Sequence, residues 1–215
     1  MVAGRYELVI FDFDGTLADT GPVICGAFSH AVQGTAAERP PAGFQIMLGQ
    51  PLEHVHAWLV ETVPGYLLSE SEFIARYRVG YYALADDLTT LFAGVDALTL
   101  ELPTPMAIAS SKPSDVLLEN VASLGITDRF AHIQGTDGFP YKPNPTIVHR
   151  VWERVPATPR GTVFVGDAVT DIQAGRAAGV ATIGVTWGAH SADALRGAGA
   201  EWVVDTVEAL RALLF

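Results

Sequence analysis

Residues Phe11–Thr20 read FDFDGTLADT, directly after the apolar run Tyr6–Phe11. The run has the length and character of a β-strand, and at its end Asp12 and Asp14 stand two residues apart, on one side of the chain. Two carboxylates so placed repel each other. They are worth that cost where a cation lies between them, or where one is a nucleophile and the other a proton carrier. Gly15 and Thr16 follow in a tight turn whose backbone N–H groups are expected to hold phosphate oxygens.

Beyond the turn the period changes from two to 3.6. Residues 17–32 read as a helix, with Val23, Ala27 and Ala31 at helical spacing. A Pro/Gly-rich break at 38–44 precedes two more helical stretches, 51–63 and 69–88, the second opened by a capping-box pattern from Ser69 to Glu72. No strand is expected between 17 and 88. From about residue 92 short apolar strands alternate with helices: 106–110, 130–134, 162–167, 181–187 and 202–205 are the strands. Helices are expected at 95–102, 113–124, 145–155 and 170–178, with a last one after 205. That alternation predicts an α/β fold, a doubly wound parallel sheet covered on both faces. The expected division is a core of residues 1–16 and 89–215, with an inserted all-α domain at 17–88.

The decapeptide resembles the first motif of the haloacid dehalogenase superfamily, in its phosphatase branch. The resemblance implies that Asp12 is the phosphorylated nucleophile and Asp14 the acid/base. The dehalogenase branch lacks the second aspartate, so Asp14 favours phosphoryl chemistry. Three further segments stand in the family's order. AIASSKP (107–113) resembles the second motif, with Ser110 where the family more often has Thr, and with the N–H of Ser111 beside it. KPNP (142–145) resembles the third, which makes Lys142 the cation for the nucleophile and the phosphoryl group. VFVGDAVTDIQAG (163–175) resembles the fourth, with Asp167 at a strand end and Asp171 in the first helical turn. The implied cofactor is Mg²⁺, held by Asp12, the carbonyl of Asp14, Asp167 and Asp171; all-oxygen sites of this kind suit it. The implied core is Rossmann-like, with β1 beside the strand that ends at Asp167, and the inserted helices resemble the superfamily's cap. GVTWG (184–188) resembles a loop of phosphoglycolate phosphatases, although Trp187 is as readily core packing.

Composition narrows the partners. The chain has 215 residues, 49% of them apolar and 17% charged, which is globular. A formal net charge of −11 disfavours nucleic acid and anionic membranes. No run approaches ~18 apolar residues and no signal segment is evident, so a cytoplasmic monomer or homodimer is expected. Cys25 stands alone. The chain holds 11 arginines but only two lysines, Lys112 and Lys142, each before a proline; lysine supplies the compact point charge that a small phosphate pocket can use.

The expected activity is therefore hydrolysis of a small phosphorylated metabolite, phosphoglycolate phosphatase-like. The alternatives are a phosphosugar mutase, whose branch usually reads DGV where this chain reads DGT, a pyrophosphatase, or, least favoured, a non-catalytic binding module. The loop FQIMLGQP (44–51), where such caps often present specificity residues, has no basic side chain for a glycolate carboxylate; Arg76 and Arg78 are the nearest candidates in the insert. His54 and His56, two apart on a helix, face different ways and are not expected to share a metal.

Overall fold

A computed structural model describes residues 5–215. The chain runs from β1 (Leu8–Phe11) through β2 (Ala18–Asp19) into α1 (Gly21–Ala31), α2 (Leu52–Thr62) and α3 (Glu70–Leu88), then β3 (Thr90–Leu91) and α4 (Val95–Glu101). It continues through β4 (Met106–Ala109), α5 (Ser114–Ser123), β5 (His132–Gln134), α6 (Thr146–Trp152), β6 (Thr162–Gly166) and α7 (Val169–Ala178). The last elements are β7 (Ala181–Val185), α8 (Ala192–Gly197), β8 (Trp202–Val204) and α9 (Val207–Leu214).

Six strands form one sheet in the order β5-β4-β1-β6-β7-β8, every neighbouring pair parallel. The strands read as near-continuous apolar runs because both faces are covered. Val9, Phe11, Ile108, Val163, Val165 and Ile183 point into one core, while Leu8, Ile10, Ala107, Ala109 and Phe164 point into another. β1 is central, paired to β4 on one side and β6 on the other, so the chain direction of the crossovers reverses there. Ligands bind at such a switch point, outside the carboxyl ends of the strands.

The chain divides into two compact units, residues 1–19 with 90–215, and residues 20–89. This moves the expected boundaries of 16/17 and 88/89, because Ala18–Asp19 pair antiparallel with Thr90–Leu91 and the two crossings of the chain leave the core as a short ribbon. The helix expected from residue 17 accordingly begins at Gly21. Before it, the N–H groups of Leu17 and Ala18 both donate to the carbonyl of Phe13 at 3.0 Å, closing a turn that helical backbone cannot share.

The unit of residues 20–89 has its own core. Phe28 lies 5.5 Å from Phe44, 6.2 Å from Phe73 and 4.9 Å from Tyr77, centroid to centroid. The segment expected to be an open loop at 44–51 begins inside a 3₁₀ turn, Pro41–Met47, which buries Phe44 and Met47. Ser69 caps α3 by accepting from the N–H of Glu72. α8 was not evident from sequence. It is six residues long, too short for a clear period, and is marked mainly by Ser191 accepting from Ala194 N–H at its start.

Candidate active site

Asp12 extends β1 by one residue, its N–H donating to the carbonyl of Val165 at 2.8 Å. Asp167 follows β6 directly, so two acids occupy the ends of adjacent central strands. Asp171 sits one turn into α7, and its Oδ2 accepts the N–H of Ala168 at 2.9 Å, capping that helix. Oxygens of Asp12, Asp167 and Asp171 lie within 4.8 Å of one another, all three residues buried.

Lys142 offsets this concentration of charge. Its Nζ lies 2.9 Å from Asp12 Oδ1 and 2.6 Å from Asp171 Oδ1, and donates to the carbonyl of Ala109 at 3.2 Å. Burial works to lower its pKa, but Asp12 and Asp171 outweigh it and the ammonium is held above its ordinary range. For Asp12, burial and then the nearby Asp171 carboxylate push the pKa well above the usual carboxylate range, against the pull of Lys142. Asp167 is pushed up to about 7, by burial first and by Asp171 next.

Asp167 is gripped from three sides. Thr16 donates its hydroxyl to Oδ1 at 3.0 Å, and Ala189 its N–H to Oδ2 at 2.7 Å. Gly15, at φ +76°, and Gly188 form the walls: a Cβ on Gly15 would stand 2.3 Å from Asp167 Oδ2, and one on Gly188 2.2 Å from the same atom and 2.4 Å from the carbonyl of Gly15. Neither position has room for a side chain. Trp187 adds a tether, its Nε1 donating to the carbonyl of Thr16 at 3.1 Å, while its ring packs on Phe92. The loop 184–189 is thus both packing and site scaffold, a double role that the sequence only half suggests.

Ser110 is buried at the end of β4, beside β1 in the parallel register, and its Oγ accepts the N–H of Lys112 at 3.2 Å. Ser111 is exposed next to it. The expectation for Gly15 and Thr16 needs correction. The N–H of Gly15 donates to Ala18 O at 2.9 Å and that of Thr16 to Phe13 O at 3.4 Å, so the turn uses both internally and they form no open nest for phosphate. Their contribution is to hold Asp167. Asp14 is half-buried, with Oδ1 3.1 Å from Lys112 Nζ. The sequence marks Lys112 as unusual without pairing it with Asp14, because the two are brought together by the sheet.

The oxygen donors fit a hard divalent cation. Oδ1 of Asp12 is buried, with the Lys142 ammonium 2.9 Å away as its charged neighbour. Asp171 is more committed, one oxygen to Lys142 and the other to Ala168. In the other unit Arg76 is tied to Glu72 at 2.7 Å and to the carbonyl of Gln33 at 3.2 Å. His56 spends Nε2 on the carbonyl of Leu68, in keeping with its separation from His54. Among the described residues no helix is long and apolar enough to cross a membrane.

A model of the haloacid dehalogenase-like hydrolase family matches residues 9–185. The chain is 32% identical over 194 residues to the tyrosine-protein kinase PtkA of Mycobacterium tuberculosis, covering 87% of this chain and 64% of that protein. It therefore spans less than two thirds of that relative's length. It is 28% identical over 225 residues to the phosphoglycolate phosphatase of Haemophilus influenzae, covering 98% of this chain and 99% of the relative. Among solved structures, a putative beta-phosphoglucomutase from Thermotoga maritima matches with a TM-score of 0.79 at 26% identity, over 96% of this chain and 98% of that one.

Proposed function

The chain belongs to the haloacid dehalogenase-like hydrolases, and on that premise we propose that it is a Mg²⁺-dependent phosphatase acting on a small phosphomonoester, with phosphoglycolate the first candidate. The observation that carries this reading is the pairing of two aspartates with two lysines, one buried and one partly buried. Asp12 stands at Lys142, and Asp14 stands at Lys112, each at ion-pair distance.

In this reading Asp12 attacks phosphorus in line, its carboxylate oxygen forming the new P–O bond as the ester P–O bond breaks. Asp14 gives its proton to the departing alkoxide. It then takes a proton from the water that attacks the aspartyl-phosphate, so inorganic phosphate leaves and both acids return to their starting state. Lys142 neutralises charge that otherwise bars a dianion: unit charges 4 Å apart repel by ~4 kcal/mol at an effective dielectric near 20. The hydroxyl of Ser110 is assigned to a phosphoryl oxygen. Asp12, the Asp14 carbonyl, Asp167 and Asp171 would hold Mg²⁺, which would supply further charge stabilisation when bound. Asp171 also fixes Lys142. The unit of residues 20–89 is assigned as the substrate-selecting cap, and the remainder as the catalytic core.

Hydrolysis is favoured over phosphosugar transfer by the DGT of the first turn. The likeness to a protein named as a tyrosine kinase makes a tyrosine hydroxyl the acceptor to exclude. The test is phosphate release from phosphoglycolate, glucose 1-phosphate, pyrophosphate and phosphotyrosine, with and without EDTA. Release that requires Mg²⁺ and drops below ~1% in Asp12→Asn supports the reading, since the substitution keeps shape and removes the nucleophile. Isomerisation of glucose 1-phosphate without phosphate release overturns it.

A further inference from the structure

We propose that Lys112 is a specificity-determining residue that recognises a carboxylate on the leaving group, one carbon away from the ester oxygen. This rests on the hydrolase reading above and names the part of the substrate that the chain selects.

The first observation is how firmly Lys112 is held. Its side chain is only 8% exposed. Its N–H donates to Ser110 Oγ at 3.2 Å, and its carbonyl accepts the N–H of Thr136 at 2.9 Å. The hydroxyl of Thr136 in turn donates to the carbonyl of Ser110 at 3.0 Å. Gly135 makes this closeness possible, since a Cβ there would come 2.7 Å from the Lys112 carbonyl and 2.6 Å from Ser114 N. Backbone on both sides of the gap blocks any side chain at that position. The loop after β5 therefore clamps the loop after β4, and Lys112 is the charged residue that the clamp presents.

The second observation is the place it occupies. Lys112 Nζ is 3.1 Å from Asp14 Oδ1, whereas Lys142 serves Asp12 and Asp171. The two lysines therefore divide the site, one on the phosphoryl side and the other on the leaving-group side. A proton donor must come within ~2.6–3.2 Å of the oxygen it protonates; the paired Oδ1 of Asp14 is itself buried, so the other oxygen of that carboxylate serves the ester oxygen, which places it a few ångströms from the Lys112 ammonium. One methylene and a carboxylate fill that interval and leave ~2.8 Å for a charge-assisted hydrogen bond. An ammonium has three donors, so Asp14 and a substrate carboxylate are compatible partners. A neutral alcohol of the same size leaves that contact unmade.

The test compares kcat/KM for phosphate release from 2-phosphoglycolate, from its neutral amide isostere and from pyrophosphate, in the wild type and in Lys112→Met. The wild type is expected to prefer the carboxylate over the amide by at least ~30-fold, in the range of a hydrogen bond between charged groups. In Lys112→Met that ratio should fall below ~3, mainly through KM for the carboxylate. If Lys112 merely orients Asp14, both esters lose kcat alike, the ratio is kept, and the proposal is overturned. Equal use of carboxylate and amide by the wild type overturns it without any variant, so a Lys112→Met protein that fails to fold leaves the question decidable. Preference for pyrophosphate over both esters assigns Lys112 to a phosphate leaving group and overturns the carboxylate. Absence of phosphate release from all three defeats the hydrolase reading itself, an outcome distinct from release without discrimination.

Discussion

Replacing Lys142 tests the electrostatic logic of the site most directly. Its side chain is 3% exposed, and its ammonium faces Asp171 at 2.6 Å, Asp12 at 2.9 Å and the Ala109 carbonyl at 3.2 Å. Opposite charges ~3 Å apart attract by ~6 kcal/mol at an effective dielectric near 20, much of it offset by the cost of burying them. Lys142→Met removes the attraction and leaves the burial cost of the acids, which places the loss at ~3 kcal/mol or more. For a chain of this size that is a fall in Tm of ~10 °C, read by thermal denaturation in EDTA at pH 8. The gap should narrow at pH 5, because Asp167, pushed up to about 7, is then largely neutral, and burial moves Asp12 in the same direction. Lys142→Arg keeps the charge but spreads its donors over a plane, on a longer side chain, where three acceptors converge on one point. It should lower kcat/KM by at least ~100-fold, about 2.7 kcal/mol. An arginine variant within ~3-fold of wild type, or a methionine variant whose Tm deficit is the same at both pH values, refutes the argument.

Three further outcomes follow from the geometry around Asp167. Its pKa of about 7 in the folded protein exceeds that of the unfolded chain, so the native state binds the extra proton between pH ~4 and ~7 and loses stability as pH rises through that window; in EDTA the Tm should fall by at least ~5 °C across it. Added Mg²⁺ at pH 7.5 should reverse most of that fall, and a flat profile without metal counts against the buried acid cluster. Gly188→Ala sets a Cβ against Asp167 and the Gly15 carbonyl, and should raise the Mg²⁺ needed for half activity by at least ~10-fold. Gly197→Ala, where a Cβ meets nothing within 4 Å, is the control. Trp187→Phe keeps the ring and loses the N–H to Thr16, costing ~1 kcal/mol, visible as a Tm lower by ~2–4 °C; an unchanged Tm shows that packing on Phe92 is its whole contribution.

The parallel sheet and the acids at its strand ends were legible in the linear sequence because both are local. Strands buried on two faces are unbroken apolar runs, and Asp12, Ser110 and Asp167 each sit at the point where such a run stops. Order along the chain was enough to suggest which acids and which lysine act together. What the sequence cannot express is how residues far apart divide hydrogen-bonding capacity. The N–H groups of Gly15 and Thr16 looked available for phosphate, yet the turn that closes on Phe13 and Ala18 consumes them, and the Thr16 hydroxyl goes to an acid 151 residues away. Lys112 looked like one of two unusual lysines. The adjacency of β4 to β1 brings it to Asp14, and the β5 loop, through Gly135 and Thr136, helps to fix it there. Strand-end chemistry follows from neighbours in sequence, whereas the partner of each charge is chosen by strand order, which the tertiary structure alone decides.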